Sequence, residues 1–402
     1  MKLKACLLFC VQEKTYFKPN FRKMTGPIYL DCNATTPLEP AVQACLFHHL
    51  TEEYGNSGSR THEFGNRAKV AVQKARDQVA AVVNAKREEV VFTSGATESN
   101  NLAILGLREY GEKTGRKHII CTAIEHKAVL EPIEQLAAHG FSVSIVKPDR
   151  DGVVHSDAVS AVLRKDTLLV SVMHVNNETG VVQPIDEIAS TLVGHETYFH
   201  VDAAQGFGKT LPALSNTRLD FISVSAHKIY GPKGVGALII RRRGFERTPL
   251  CPLLFGGGQE RGLRPGTLPV ALVVALGEAA QLATRDHAKR GARCTEIKNA
   301  ALKAFLHIGG EPVGNQTRTL PSTLNIRFPG LDSEALMVAL KDSLAISNGS
   351  ACTSSSYTPS HVLKAMGFDD KSANQCVRLS WCHLTPDVDW DHIAERIQAL
   401  RD

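Results

Sequence analysis

The sequence lacks any apolar run that approaches the roughly 20 residues of a membrane-spanning helix. It also lacks a C-x-x-C pair and any metal-binding pattern of that type, although it contains 10 cysteines. A chain of 402 residues can bury a sizeable core without disulfides, so free thiols in a reducing cytoplasm are expected. No basic stripe is interleaved with aromatic residues and the net charge is only +5, so neither a membrane nor a nucleic acid is indicated as a direct partner.

The first 26 residues differ from the rest of the chain. The apolar segment 5–11 follows Lys2 and Lys4 and resembles a signal-peptide core, but it is short and lacks a small-residue cleavage site. We interpret residues 1–26 as a poorly ordered N-terminal extension, with Met24 as an alternative start of translation.

Short apolar runs alternate with amphipathic stretches through the middle of the chain. This alternation predicts an α/β fold with a largely parallel central sheet, whose ligands bind at the carboxyl ends of the strands. The predicted strands are 89–94, 118–123, 142–146, 167–175, 198–203, 220–226 and 236–241, and the predicted helices between them include 67–83, 129–138 and 185–192.

The pattern changes after about Gly277. A long helical segment at 273–304 is followed by a predicted strand at 322–328, a helix at 333–340 and a helical C-terminus. This order predicts a second, smaller α+β domain.

Polar residues follow several predicted strands. The segment "GATESNN" (95–101) follows the first strand, and a glycine–hydroxyl turn that enters a helix can bind phosphate through free backbone N–H groups. Taken alone, this motif is explained more simply as a helix cap provided by Thr97 or Ser99. His126, the turn at 176–180 and Asp202 also have structural explanations when each is considered by itself.

Lys228 is harder to explain as a surface lysine. It follows His227 at the end of a predicted strand, and a turn rich in glycine and proline (231–236) comes next. A lysine held and partly desolvated in this way is a candidate nucleophile toward a carbonyl group. A phosphate cradle, a buried acid and such a lysine at the ends of neighbouring strands are what pyridoxal 5'-phosphate (PLP) requires.

In addition to these single residues, nine longer motifs occur along the chain in the order in which they occur in one protein family. They are "YLDCNATTP" (29–37), "YGNSGSRTHEFG" (54–65), "FTSGATESNNLAI" (92–104), "EHKAV" (125–129), "VMHVNNETGVVQPI" (172–185), "HVDAAQGFGK" (200–209), "SAHKIYGPKGVGAL" (225–238), "GGGQERGLRPGTLP" (256–269) and "NGSACTSSS" (348–356). From about residue 28 to the C-terminus the chain resembles the cysteine desulfurases of the NifS/IscS type. These are fold-type I PLP enzymes of the class V aminotransferase group.

The resemblance implies roles for twelve residues, of which eleven would bind the cofactor or the substrate and the twelfth is Cys352. Lys228 would hold the cofactor covalently, Asp202 would pair with its pyridinium nitrogen, and Gln205 would bond its phenolic oxygen. His126 would stack on the ring and shuttle protons, and Asn177 would lie near the phenolic oxygen and the substrate carboxylate. The phosphate group would be held by Ala96, Thr97, Ser225 and His227, and by Thr267 of the partner in a homodimer. Arg378 would clamp the substrate carboxylate.

Cys352 matches the cysteine of the family that becomes a persulfide. It lies in a segment rich in glycine and serine, which would let the thiol meet the substrate and then an acceptor protein. The long polar segment after "GSAC" resembles the group I, long-loop enzymes. The implied domains are a large PLP-binding domain (39–284) and a small domain (27–38 and 285–402) that carries this loop.

The sequence departs from the family pattern at Ser57, Pro265 and the pair Cys382–His383, which follows the substrate-clamp motif. The implied activity converts L-cysteine to L-alanine and leaves sulfur on Cys352. A selenocysteine lyase, a class V aminotransferase and a non-catalytic sulfur carrier are the alternatives. Iron–sulfur cluster assembly, tRNA thiolation and DNA phosphorothioation are all possible destinations of the sulfur.

Overall fold

The computed structural model describes residues 26–244, 247–348 and 359–401, and the structural statements below concern these residues. Residues 1–25 of the expected extension and Cys352 lie outside them. The strands are β1 (Ile28–Tyr29), β2 (Val90–Thr93), β3 (His118–Thr122), β4 (Ser142–Val146), β5 (Thr167–Met173), β6 (Tyr198–Asp202), β7 (Phe221–Ser225), β8 (Gly236–Ile240), β9 (Glu311–Pro312), β10 (Thr323–Arg327), β11 (Leu344–Ala345) and β12 (Cys376–Ser380).

Helices cover the strands and join them. They are α1 (Pro40–Thr51), α2 (Glu63–Val82), α3 (Ala96–Leu105), α4 (Arg108–Thr114), α5 (Lys127–Ala138), α6 (Ser156–Ala161), α7 (Ile185–Thr191), α8 (Val270–Arg285), α9 (His287–His307), α10 (Ser333–Leu340), α11 (His361–Ala365), α12 (Asp370–Ala373) and α13 (Trp390–Gln398). Within the described ranges, none of these helices combines the length and the apolar character needed to cross a membrane.

Seven strands form the central sheet in the order β2-β8-β7-β6-β5-β3-β4. The strands β3 to β7 pair in parallel, whereas β8 runs antiparallel to both β2 and β7. Neighbouring residues enter different apolar clusters: Ile119 packs on one face of the sheet and Ile120 on the other. Both faces are therefore covered, which explains why these strands are continuous apolar runs. The predicted α/β fold with a largely parallel sheet is confirmed.

Each predicted run contains one of the seven strands, but two helices begin before their predicted start. The side chain of His62 accepts a hydrogen bond from the backbone N–H of Gly65, so α2 begins at Glu63. The side chain of His126 caps α5 in the same manner, and that helix begins at Lys127. Capping by histidine is not among the common N-cap signals, which is why the sequence pattern missed it.

A second apolar cluster lies outside the central sheet. It contains Leu30, Phe305, Leu324 and Trp381, from both ends of the described chain. Strand β1 pairs in parallel with β11, and β10 lies between β12 and β9 in an antiparallel sheet. The early residues of the chain are thus built into the same structure as its C-terminal part, while the expected division into two domains stays a prediction.

The helical segment predicted at 273–304 is two helices rather than one. They are separated at Asp286, where ψ is 10°. Helix α8 packs into the cluster on the central sheet, and α9 packs into the second cluster. Both helices are apolar on one face, so the pattern alone could not reveal that each face belongs to a different core.

Candidate active site

A cavity of about 790 Å³ lies at the carboxyl ends of the central strands. Residues that follow β2, β3, β5, β6 and β7 line its wall. Ten of the twelve predicted site residues are among them: Ala96, Thr97, His126, Asn177, Asp202, Gln205, Ser225, His227, Lys228 and Arg378. Residues separated by more than 280 positions in the sequence therefore meet around one volume, which has the size of a small-molecule site.

The amine of Lys228 projects into this cavity from a short turn after β7. Its Nζ donates hydrogen bonds to the backbone carbonyl of Asn33 at 2.5 Å and to that of Ala34 at 2.8 Å. Two carbonyl oxygens from the "YLDCNATTP" segment thus fix the position of the amine. A lysine held by neutral acceptors can be presented to a carbonyl carbon in a defined direction.

Asp202 ends β6 and is only 6% exposed. Its Oδ2 accepts a hydrogen bond from Nδ2 of Asn100 at 2.7 Å, and its Oδ1 accepts one from the backbone N–H of Ala204 at 2.9 Å. No described residue forms an ion pair with this carboxylate. A buried acid needs compensation, and the pyridinium nitrogen of PLP would provide it from the cavity.

The imidazole of His126 has a defined tautomer. Its Nδ1 accepts a hydrogen bond from the backbone N–H of Ala128 at 3.1 Å, so Nε2 carries the proton of the neutral ring. Burial lowers the pKa of His126, Asp202 opposes that change, and Lys228 lowers the pKa further. The ring is therefore neutral near pH 7 and presents the Nε2–H group as a hydrogen-bond donor.

The start of helix α3 forms a cradle for an anion. Gly95 is the N-cap residue, and no side chain caps the helix, so its first N–H groups point toward the cavity without a side-chain acceptor. The alternative of a cap by Thr97 or Ser99 is wrong, because both lie inside the helix. A Cβ added to Gly236 would lie 2.6 Å from the Cα of Gly95, so this close approach requires glycine.

Two residues of β7 and its turn complete the cradle. Ser225 and His227 line the same part of the cavity, and Nδ1 of His227 lies 3.2 Å from Oγ1 of Thr35. Burial and the neighbouring charge of Lys228 lower the pKa of His227 to about 4, so the ring is neutral. The cradle, the buried carboxylate of Asp202 and the held amine of Lys228 together match the phosphate, the ring nitrogen and the aldehyde of PLP.

Arg378 lies on β12 and is 1% exposed. Its Nη2 forms an ion pair with Oδ1 of Asp31 at 2.6 Å, and its Nη1 donates to the backbone carbonyl of Asn177 at 3.0 Å. The guanidinium is thus held in a fixed plane at the cavity wall. A substrate carboxylate at this position would have to share the guanidinium with Asp31.

Both ends of the segment that contains Cys352 are fixed at the cavity. Ser347 forms a bridge with Arg378 on one side, and Oγ of Ser360 donates to Oε2 of Glu178 at 2.5 Å on the other. Arg378, Glu178 and Ser360 all line the cavity. The predicted residue Cys352 lies between these anchors, outside the described residues.

Thr267 does not line this cavity within the described residues. It lines a separate cavity of about 430 Å³, next to the segment 56–58 and the ion pair of Arg76 with Glu260. Thr267 is therefore the one predicted cofactor ligand that lies outside the active-site cavity of its own chain.

Several residues of the site were not predicted. The backbone carbonyl of Asn33 accepts hydrogen bonds from both Lys228 and Gln205, and a carbonyl role leaves no signal in the side chain. His361 lines the cavity, and its Nε2 donates to the carbonyl of Glu125 at 2.9 Å. Glu125, which precedes His126 in the chain, is fully buried, and burial raises its pKa to about 8.

The departure from the family pattern at Cys382 and His383 is accommodated by new contacts. Nε2 of His383 lies 2.9 Å from Oε2 of Glu39, and the ring packs edge-on against Tyr230. Cys382 packs with Cys32. Arg378 remains in register with Asn325 of β10, so the departure leaves the strand that carries the predicted clamp intact.

Three kinds of comparison point to the same relatives. The family described as "Aminotransferase class-V" matches residues 28–392. The "Cysteine desulfurase IscS" of Shewanella sp. (strain MR-4) is 45% identical over 377 residues, which cover 93% of this chain and 92% of the relative.

Two solved structures are also similar. The crystal structure of DndA from Streptomyces lividans has 49% sequence identity and a TM-score of 0.78, and the match covers 87% of this chain and 98% of that one. A structure described as SspA in complex with cysteine has 35% identity and a TM-score of 0.76, and the match covers 88% of this chain and 98% of that one.

Proposed function

The chain belongs to the class V aminotransferase family and is a PLP-dependent cysteine desulfurase, and on this premise we propose how its residues divide the work. The proposal rests on one observation: Lys228, Asp202 and His126 line one cavity. Residues on both sides of the Cys352 segment contact residues of the same cavity.

Lys228 is the residue that attaches the cofactor, and Asp202 pairs with the ring nitrogen. Gln205 bonds the phenolic oxygen, while the N-terminus of α3 with Thr97, Ser225 and His227 holds the phosphate. When bound, PLP withdraws electrons from the carbon skeleton of cysteine, which permits the bond between carbon and sulfur to break. The uncapped start of α3 and the buried Asp202 carboxylate, which has hydrogen bonds but no ion pair among the described residues, support this assignment.

His126 carries protons at the substrate. In the resting ring the N–H of Ala128 donates to Nδ1, so Nε2 carries the proton and acts as a hydrogen-bond donor. Burial lowers the pKa of the protonated ring, so a ring that takes up a proton at Nδ1, after Nδ1 separates from Ala128, gives one back readily near neutral pH. Arg378 and Asn177 bind the substrate carboxylate, which orients the cysteine side chain toward the Cys352 segment.

Cys352 accepts the sulfur. Its thiolate attacks the sulfur of the bound cysteine, the carbon–sulfur bond breaks, and protons from the site complete L-alanine, so that Cys352 carries one additional sulfur atom. Cys352 is five residues from Ser347, so an extended chain would allow a reach of up to about 17 Å from that anchor. The acceptor is another protein. The sulfur then serves iron–sulfur cluster assembly, tRNA thiolation or DNA phosphorothioation.

The enzyme acts as a homodimer in which Thr267 reaches the phosphate of the partner's cofactor. Exposed apolar residues flank the segment 56–58 that shares a cavity with Thr267: Tyr54 is 67% exposed and Phe64 is 42% exposed. Phe47 and Leu50 of α1 are each 54% exposed. A face this apolar is typical of an interface, and a second copy would bring Thr267 to a cofactor site.

The large and small parts of the chain act as the two domains expected from the sequence, 39–284 on one side and 27–38 with 285–402 on the other. The second apolar cluster, whose members all lie within 27–38 and 285–402, and the break at Asp286 support this division. We place the enzyme in the cytoplasm, since seven cysteines within the described ranges are free thiols.

The test uses the holoenzyme and L-cysteine, followed by an alkylating reagent and peptide mass analysis. We expect one additional sulfur atom on Cys352 and equimolar alanine, and Cys352→Ser should release alanine slowly and carry no sulfur. Single substitution of Cys376 or Cys251 serves as a control and should leave turnover intact. Sulfur on another cysteine would refute the assignment. Turnover of selenocysteine by Cys352→Ala, without turnover of cysteine, would favour a selenocysteine lyase.

A further inference from the structure

A second cavity of about 430 Å³ is built from three parts of the chain: the loop after β6, the first two turns of α9 and the segment that leads to β10. Its cationic and imidazole side chains are Lys209, His287, Arg290 and Arg318, and the hydroxyls of Thr210 and Ser322 also line it. None of the described residues that line it is an aspartate or a glutamate. The cavity therefore concentrates hydrogen-bond donors and positive charge.

Lys209 is the cation in this cavity that lacks a carboxylate partner among the described residues. Its Nζ donates one long hydrogen bond, to Oε1 of Gln205 at 3.4 Å. Burial lowers the pKa of Lys209, and the groups that oppose this change are thiols, first that of Cys32. An ammonium group in this position would be stabilised by an anion in the cavity.

The other two cations are partly neutralised. Arg290 pairs with Glu39 at 2.8 Å, and Arg318 pairs with Glu187 at 3.2 Å. The Glu187 carboxylate is 57% exposed, so water screens that pair. Arg318 thus lies at the open side of the cavity, where its guanidinium can also bind an entering ligand.

We propose that this cavity binds a small phosphate-bearing anion, with Lys209 and Arg318 as its main ligands. Ammonium, guanidinium and hydroxyl donors come from three separate parts of the chain, which suits the several oxygens and double charge of a phosphate group better than a planar carboxylate. The volume also has room for a small organic group on the phosphate.

A ligand in this cavity is connected to the active site by two hydrogen bonds. Lys209 bonds Gln205, and Nε2 of Gln205 donates to the carbonyl of Asn33 at 2.9 Å. The same carbonyl accepts the hydrogen bond of Lys228. An anion held by Lys209 and Arg318 also joins the loop after β6 to the segment that leads to β10.

The experiment uses the holoenzyme, so that the cofactor fills the phosphate cradle of the active site. Inorganic phosphate and ribose 5-phosphate are titrated at constant ionic strength by calorimetry, with chloride as the blank. We expect saturable binding of at least one of the two and a rise in the thermal midpoint. Tighter binding of the ester would identify a phosphorylated metabolite as the source, and equal binding would identify inorganic phosphate.

The variant Arg318→Gln should weaken phosphate binding about tenfold, the loss of one charge-assisted hydrogen bond. Its turnover without phosphate should be unchanged. Arg164→Gln is the matched control, because Arg164 forms an exposed ion pair with Asp166 away from the cavity. Lys209→Met should abolish binding. Absence of saturable binding, or equal binding by Arg318→Gln and Arg164→Gln, would overturn the proposal without affecting the desulfurase assignment.

Discussion

Oγ of Ser360 donates a hydrogen bond to Oε2 of the buried Glu178 at 2.5 Å. Burial raises the pKa of Glu178, and the bond from Ser360 acts in the opposite direction by favouring the carboxylate. Ser360 also caps α11, since its side chain accepts from the backbone N–H of Leu363. One hydroxyl thus fixes the end of the Cys352 segment to the wall of the active site.

Ser360→Ala should slow sulfur transfer to Cys352 about tenfold and leave the cofactor spectrum unchanged. The substitution leaves Glu178 without its donor, at a cost of about 1–3 kcal/mol, and releases the anchor. Persulfide formation in a single turnover measures the effect. Ser190→Ala is the control, because Ser190 is an exposed helical serine that bonds only a backbone carbonyl. Equal single-turnover rates in both variants would show that the anchor is unimportant.

Lys228→Ala should lose the covalently held cofactor and its visible absorbance. Its amine is the one that the carbonyls of Asn33 and Ala34 hold in place, so we expect that neither Lys127 nor Lys233, which also line the cavity, replaces it. Reduction with borohydride and peptide mass analysis check the attachment. Lys113→Ala, on the exposed face of α4, should retain absorbance and activity. A reducible cofactor bond in Lys228→Ala would identify another lysine as the attachment point.

Glu125 should make the enzyme less stable as the pH rises. Burial raises its pKa from 4.5 to about 8, so in that interval the folded state holds a proton that the unfolded state has lost. The free energy of unfolding therefore falls between pH 4.5 and about 8, by at most about 1.4 kcal/mol per pH unit, and this contribution is constant above that range.

Glu125→Gln should remove this slope. The side-chain oxygen can still accept from Thr122 and from the backbone N–H of Met173, and Oε2 has no partner to lose. Urea unfolding at several pH values, compared with the exposed Glu88→Gln, measures the difference. If the stability difference between Glu125→Gln and the parent enzyme does not change with pH, Glu125 is ionised in the folded state.

The sequence was sufficient to find residues at strand ends that the fold brings together in one cavity. Asp202, His126 and Lys228 each follow a buried apolar run, and a parallel sheet necessarily brings such positions together. The resemblance to a family supplied Arg378, which comes from a distant strand.

Other features depend on contacts that no local pattern encodes. Asn33 acts through its backbone carbonyl, and the pairing of Glu178 with Ser360 joins residues 182 positions apart. The cap of α3 is a glycine without a side chain, whereas the sequence offered two hydroxyl residues as better caps. These features are set by tertiary structure, so they became visible only when the elements were placed together.

Whether Thr267 serves the site of the partner subunit can be tested with a mixed dimer of two poorly active variants. If Thr267 serves the partner's site, a mixed dimer of Lys228→Ala and Thr267→Ala has one site with both defects and one site with neither. About half of the parent activity per dimer should then return, although each variant alone is poorly active. If Thr267 serves its own chain, each site of the mixed dimer keeps one defect and no activity returns. Co-expression with two different tags isolates the mixed dimer. Because Thr267 lies outside the lining of its own chain's cavity, we expect activity to be restored.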